Sequence, residues 1–160
     1  MEKILISACL LGKTVRYDGK TLAVTDNLLE RWMDEGRVIS VCPEVDAGMS
    51  IPRAPAEITA GTGYDVLAGT AKVLIENGDE VSATFKKGAQ LALALCQQHN
   101  IKVAVLTEGS PSCGSSSIYD GSFTRQKIAG VGVTVALLEQ HGIAVFSQYQ
   151  LPEADRALRY

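Results

Sequence analysis

The chain carries 160 residues, with 18 acidic against 15 basic side chains and a net charge of -3. That is enough length to bury one core without disulfide staples, and the charge balance gives no basic stripe for a polyanion, so neither nucleic acid nor a membrane surface is a suggested partner. The apolar run after Met1-Glu2-Lys3 is cut by Gly12-Lys13, too short for a signal peptide or a bilayer span, which points to a soluble cytoplasmic protein of one domain, residues 1–160.

Residues Ile4 to Ser7 read as a short apolar strand, followed at once by Ala8-Cys9-Leu10-Leu11-Gly12 and a turn at Asp18-Gly19. Asp26 is placed to cap a helix running to about Glu35, with Leu28, Leu29 and Trp32 at helical spacing and Gly36 as its stop. A second strand, Val38 to Val41, ends at Cys42-Pro43-Glu44. From Val45 to Gly69, glycines and prolines break any long element, and the expectation is an ordered loop over a site, with a turn of helix at Ala56 to Ile58. Val73 to Ile75 suits an edge strand closed by Asn77-Gly78. A long amphipathic helix over residues 84–99 follows, capped by Ser82 or Asp79.

Strand Ile101 to Leu106 then leads into the loop Glu108 to Gly121, rich in Gly and Ser. A helix is expected from Arg125 to Gln140 despite Gly130 and Gly132, then a stop at Gly142, a strand at Ile143 to Phe146, and a short helix opened by Pro152. Alternating strands and helices argue an α/β fold with a mainly parallel sheet covered on both faces.

Cys9 lies just past the first strand, Cys42 at the end of the second and Cys113 in the loop after the Ile101 strand, so a parallel sheet brings all three to its C-terminal edge, where open α/β sheets bind ligands. Cys96, within Leu91-Ala-Leu-Ala-Leu-Cys96, reads as core packing. Three close thiols cannot all ionise without a cation, and a metal centre resolves the conflict. Thiolates suit zinc or an iron–sulfur cluster. His99 and His141 fall at helix C-termini and suit capping there, so no fourth ligand is evident and one coordination position stays open. The plain alternative is three unrelated buried thiols.

Glu44 and Ser110 belong to these cysteine loops and are within reach of a ligand on such a centre, the carboxylate as a general base and the hydroxyl as a proton relay. The N–H groups of Gly114 to Ser117 offer a nest for sulfides or an anion. Arg53 is expected to orient an anion or pair with Glu57. Tyr17, Tyr119 and Phe123 are the aromatic residues in candidate site loops, and Tyr-Asp-Gly occurs twice, at Tyr17 to Gly19 and Tyr119 to Gly121.

At Ser7-Ala-Cys9-Leu-Leu-Gly12, Arg16-Tyr-Asp-Gly19, Cys42-Pro-Glu44, Pro52-Arg53 with Ala56-Glu57, and Ser110-Pro-Ser-Cys113-Gly114 through Ile118-Tyr-Asp-Gly121, the sequence closely resembles the 2-thiouracil desulfurase family. The resemblance implies a Rossmann-like three-layer sandwich holding a [4Fe-4S] cluster through Cys9, Cys42 and Cys113, with one iron lacking a protein ligand. It further implies removal of sulfur from a small thiolated substrate such as 2-thiouracil, giving the oxo product and sulfide without net redox change, with Glu44 transferring protons and Ser110 assisting. Two other classes compete: an iron–sulfur or sulfide-carrying protein without turnover, and a metal-free thiol enzyme using Cys113 as nucleophile, for which no His lies nearby in sequence. Nothing in the sequence specifies an oligomeric state.

Overall fold

In the computed structural model, residues 1–12, 17–18 and 26–158 are described. In chain order they form β1 (Ile4–Ser7), a 3-10 turn (Ala8–Leu11), α1 (Asn27–Asp34), β2 (Val38–Val41), α2 (Pro43–Asp46), β3 (Ala56–Thr59), α3 (Gly63–Ala68) and β4 (Lys72–Ile75). There follow α4 (Ser82–Gln98), β5 (Val103–Val105), β6 (Ser117–Tyr119), β7 (Lys127–Ala129), α5 (Val133–Gln140), β8 (Ala144–Phe146) and α6 (Leu151–Ala157).

The central sheet is parallel, in the order β2-β1-β5-β8. Because successive strand residues point to opposite faces, Ile4 and Ile6 of β1 with Val103 and Val105 of β5 pack under α1 and α6 against Leu29, Trp32, Leu151 and Ala154. Leu5 and Ala104 face the other way, onto Ala92 and Cys96 of α4 and Val135 and Leu138 of α5. The result is the expected three-layer α/β sandwich. Cys96 is core, as its helical setting implied. From β1 the chain crosses to β2 on one side, and from β5 to β8 on the other, so the strand order reverses between β1 and β5. That reversal opens a crevice at the strands' C-terminal ends.

Two antiparallel hairpins, β3–β4 and β6–β7, stand beyond this edge. A third core joins them to the sandwich: Ile58, Val66 and Val73 meet Phe85 and Ala89 of α4, Ile118 of β6 and Val133 of α5.

Several expectations need correction. Ala56 to Ile58 is strand rather than a turn of helix, because Glu57 and Ile58 pair with Leu74 and Val73 of β4. The segment 45–69 is therefore not one loop: it holds β3 and α3, the latter closed by a capping box between Thr62 and Asp65. The helix expected from Arg125 starts only at Val133. Lys127–Ala129 pairs with Ser117–Tyr119 instead, and Gly132, in extended backbone, is the N-cap. A Cβ at Gly132 would lie 2.5 Å from Ser112 C and O, so the close approach that glycine permits falls at the helix start, not in its interior.

Neither proposed cap of α4 acts as one. The Ser82 hydroxyl accepts the Val73 N–H at 2.9 Å, and Asp79 donates its own N–H to Asn77. His141 does close α5, its Nδ1 donating to Leu137 O at 3.0 Å. The turn at Asp18-Gly19 lies partly outside the described residues. Among those described, no helix is long and apolar enough to cross a membrane.

Candidate metal centre

Each of the three cysteines is fixed by a different local device. Cys9 is buried in the 3-10 turn that ends β1, a turn closed by Gly12 at φ 90°, a left-handed conformation that glycine adopts without a Cβ penalty. The Cys9 Sγ lies 2.9 Å from the Thr107 hydroxyl, and the Thr107 N–H donates to the Ser7 hydroxyl at 3.0 Å, tying the ends of β1 and β5 together.

Cys42 ends β2 and caps the single turn α2, with Pro43 at its first position, where a missing N–H costs nothing. Its N–H donates to Asp46 Oδ2 at 3.2 Å. Helix α4 presses on this turn at Gly88, where a Cβ would stand 2.4 Å from Pro43 O.

Cys113 is buried in the loop after β5, and its surroundings are the most constrained. The Ser110 hydroxyl oxygen accepts the N–H groups of Ser112 and Cys113, both at 3.1 Å. The first N–H groups of α5, from Val133 and Thr134, donate to Pro111 O and Ser112 O at 2.8 and 2.9 Å. A buried hydroxyl pair, Ser112 and Thr134 at 2.7 Å, pins the same point.

The three thiols line one cavity of 490 Å³ together with Glu44, Arg53, Glu57, Thr107, Glu108 and Ser110, and with Tyr17, Tyr119 and Phe123 on its walls. Convergence at the crevice, expected from strand ends alone, is what the structure has. Among the described residues no three His, Cys, Asp or Glu side chains are drawn close enough to grip a single metal ion. The thiols stand around a space large enough for a bigger group and a small ligand.

Burial, followed by the charges of Glu44, Cys42 and Cys9, pushes the Cys113 thiol far up. Burial likewise raises Cys42. All-thiolate occupation thus needs a cationic centre among them, and a soft sulfur donor set with no histidine fits an iron–sulfur cluster.

Glu44 lines the same cavity as the three thiols. Burial raises its pKa, opposed by Arg53, whose Nη2 lies 3.4 Å from Glu44 Oε2. Arg53 therefore pairs with Glu44, not Glu57. The Glu57 carboxylate takes the N–H groups of Gly121 and Phe123 at 3.0 and 3.2 Å.

The N–H nest of residues 115–117 is already filled from within the chain. Ser115, Ser116 and Ser117 all donate to Glu108 Oε1 at 3.1 Å, and the Ser116 hydroxyl reaches Oε2 at 2.7 Å. Partial burial acts to raise the Glu108 pKa, but these bonds hold it below the usual value. Sequence reasoning missed Thr107, Glu108 and Thr134. Two had a visible signal: Thr134 is a hydroxyl inside the apolar run Val133-Thr-Val135, and Glu108 is an acid placed just before a Gly/Ser nest.

The model of the 2-thiouracil desulfurase family matches residues 4–150. The chain belongs to this family. It is 45% identical over 148 residues to the uncharacterized protein YbbK of Bacillus subtilis (strain 168), covering 92% of this chain and 97% of that one. It is also similar to a solved structure, the [4Fe-4S]-dependent thiouracil desulfidase TudS, at 48% identity and a TM-score of 0.90, over 98% of this chain and 97% of that chain.

Proposed function

We propose that this chain is a [4Fe-4S]-dependent desulfurase that converts a small thiolated compound, such as 2-thiouracil, into its oxo counterpart and sulfide without net redox change. The observation carrying this reading is the convergence of Cys9, Cys42 and Cys113, from three strand ends, on one cavity that Glu44 also lines. These three thiolates would hold the cluster, and an iron left without a protein ligand would supply a Lewis-acidic position for sulfur.

Glu44 manages protons. Replacing C=S by C=O with water takes two protons from water and gives two to sulfide, and a carboxyl whose proton affinity is raised by burial while Arg53 tethers it can carry one of them. Ser110 acts beside it. With its oxygen already accepting two N–H groups, its own proton is the part left to donate into the cavity. A small molecule suits a cavity of 490 Å³ and the net charge of -3, with no nucleic acid or membrane as partner. We read residues 1–160 as one domain, and the four free cysteines as belonging to a reducing cytoplasm.

Anaerobically reconstituted protein is expected to release sulfide from 2-thiouracil, and Glu44→Gln to keep its iron while losing most of that release. A reconstituted wild type that binds 2-thiouracil but releases nothing would favour a carrier over an enzyme.

A further inference from the structure

The loop between β6 and β7 carries two non-glycine residues in left-handed backbone, Phe123 at φ 58° and Arg125 at φ 61°. Such a conformation is ordinary for Gly or Asn and an outlier for a bulky side chain. Gly121, two residues earlier and at φ 92°, has the residue type this geometry favours, and a Cβ there would stand 2.7 Å from Ile58 O. The loop is thus seated hard against β3.

What holds it is Glu57, a residue of β3 only 8% exposed, whose Oε1 accepts the N–H of Gly121 at 3.0 Å and of Phe123 at 3.2 Å. A buried carboxylate spent on two loop amides keeps the loop in a shape it would otherwise leave. Phe123 gains nothing in the core from this: it is absent from all three hydrophobic clusters and half-buried on the cavity wall. Backbone strain retained around one side chain marks ligand clamps.

The cavity has two other aromatic rings among the described residues. Tyr119 already has a cation over its ring, Lys127 Nζ at 5.4 Å from the centroid. Tyr17 is 40% exposed and, like Tyr119, ends in a polar hydroxyl. Phe123 is the apolar ring left to meet a flat ligand.

We propose that Phe123 is a specificity-determining residue whose ring stacks on the planar heterocycle of the substrate, and that Glu57 is the positioning residue that holds it there. This rests on the reading of the cavity as a thiopyrimidine site. Offset stacking of two rings contributes modestly per contact, so the ring is expected to account for a roughly tenfold change in affinity, felt by cyclic substrates alone.

Reconstituted Phe123→Gly tests it. Glycine suits φ 58°, so the variant should melt no lower than wild type and keep its iron. KM for 2-thiouracil and the Kd of uracil, measured by calorimetry, should both rise about tenfold, while kcat for 2-thiouracil and kcat/KM for acyclic thiourea stay within about twofold. Phe123→Tyr should restore affinity. Glu57→Ala should reproduce the KM rise, and Glu57→Gln, which keeps the acceptor oxygen, should reproduce it only in part. An unchanged uracil Kd in Phe123→Gly, or equal losses on thiourea and 2-thiouracil, overturns the proposal. Uracil binding also decides the ring contact where wild type releases no sulfide, an outcome that sinks the desulfurase reading instead.

Discussion

Gly88 lies in the middle of α4, where replacement by Ala normally stabilises a helix by about 1 kcal/mol. Here the added Cβ would lie 2.4 Å from Pro43 O, 2.8 Å from its carbonyl carbon and 3.1 Å from its Cβ. Ordinary carbon contact begins near 3.5 Å, so the helix and the turn after Cys42 must part by roughly 1 Å. Two of the three obstructing atoms are backbone and cannot rotate away. Overpacking of this kind costs roughly 1–3 kcal/mol. Set against the gain in helix propensity, Gly88→Ala is expected to be net destabilised by about 1 kcal/mol, which lowers Tm by roughly 2–4 °C at this chain length.

The displaced atoms adjoin Cys42, so iron content after anaerobic reconstitution should fall as well. Differential scanning calorimetry with iron analysis on the same samples separates the outcomes. A higher Tm with full iron would mean that helix propensity alone governs the site, and would refute the docking of α4 on the Cys42 turn.

Once Cys9 is a thiolate it has no proton to give, so Thr107 must be the donor in their contact. A hydrogen bond to a cluster sulfur favours the reduced state; Thr107→Val should lower the cluster midpoint potential by a shift on the order of 59 mV, a tenfold change for one electron, and Thr107→Ser should retain it. Glu108→Ala leaves four N–H groups of the Cys113 loop, those of Gly109 and Ser115 to Ser117, without their shared acceptor; allowing for partial replacement by water, about 2 kcal/mol should be lost, seen as a lower Tm. Because the folded pKa of Glu108 is depressed from 4.5, its contribution is full above that value and disappears as pH falls through the lower folded one, so wild type and Glu108→Ala should converge in stability in strong acid. Tyr64 donates to Glu139 and its pKa is raised from 10.0 to about 12; the stability this bond adds is present below pH 10 and fades towards about 12, a step that Tyr64→Phe should abolish in alkaline melts.

Much of this fold could be read from apolar runs bounded by breakers. β1 and the Val103–Val105 strand are short, apolar and buried on both faces, β2 is a partly buried edge strand of the same apolar type, and the cysteine following each is legible as an edge residue because parallel strands share one C-terminal side. The hairpins were harder. Lys127–Ala129 is exposed and carries no burial pattern of its own, so only its pairing with Ser117–Tyr119, set by the long-range docking of the loop, makes it a strand. Ala56–Thr59 is similar: Pro55 and nearby glycines hide a strand whose partner lies 13 to 19 residues away in register.

Arg53 could not have been assigned to Glu44 over Glu57 from sequence. Both acids are within a few residues of the cysteine and proline motifs, and the choice is made by the Glu57 carboxylate being claimed by Gly121 and Phe123. The nest at Ser115–Ser117 was visible as chemistry but not as occupied, since its anion, Glu108, comes from seven to nine residues upstream.

The central claim is that the thiols of residues 9, 42 and 113 together hold one inorganic centre. Iron and acid-labile sulfide should be measured after anaerobic reconstitution of wild type and of the four single Cys→Ala variants. About four irons and four sulfides per chain are expected for wild type and Cys96→Ala, with marked loss in Cys9→Ala, Cys42→Ala and Cys113→Ala. Full iron in any of those three, or loss confined to Cys96→Ala, would contradict it.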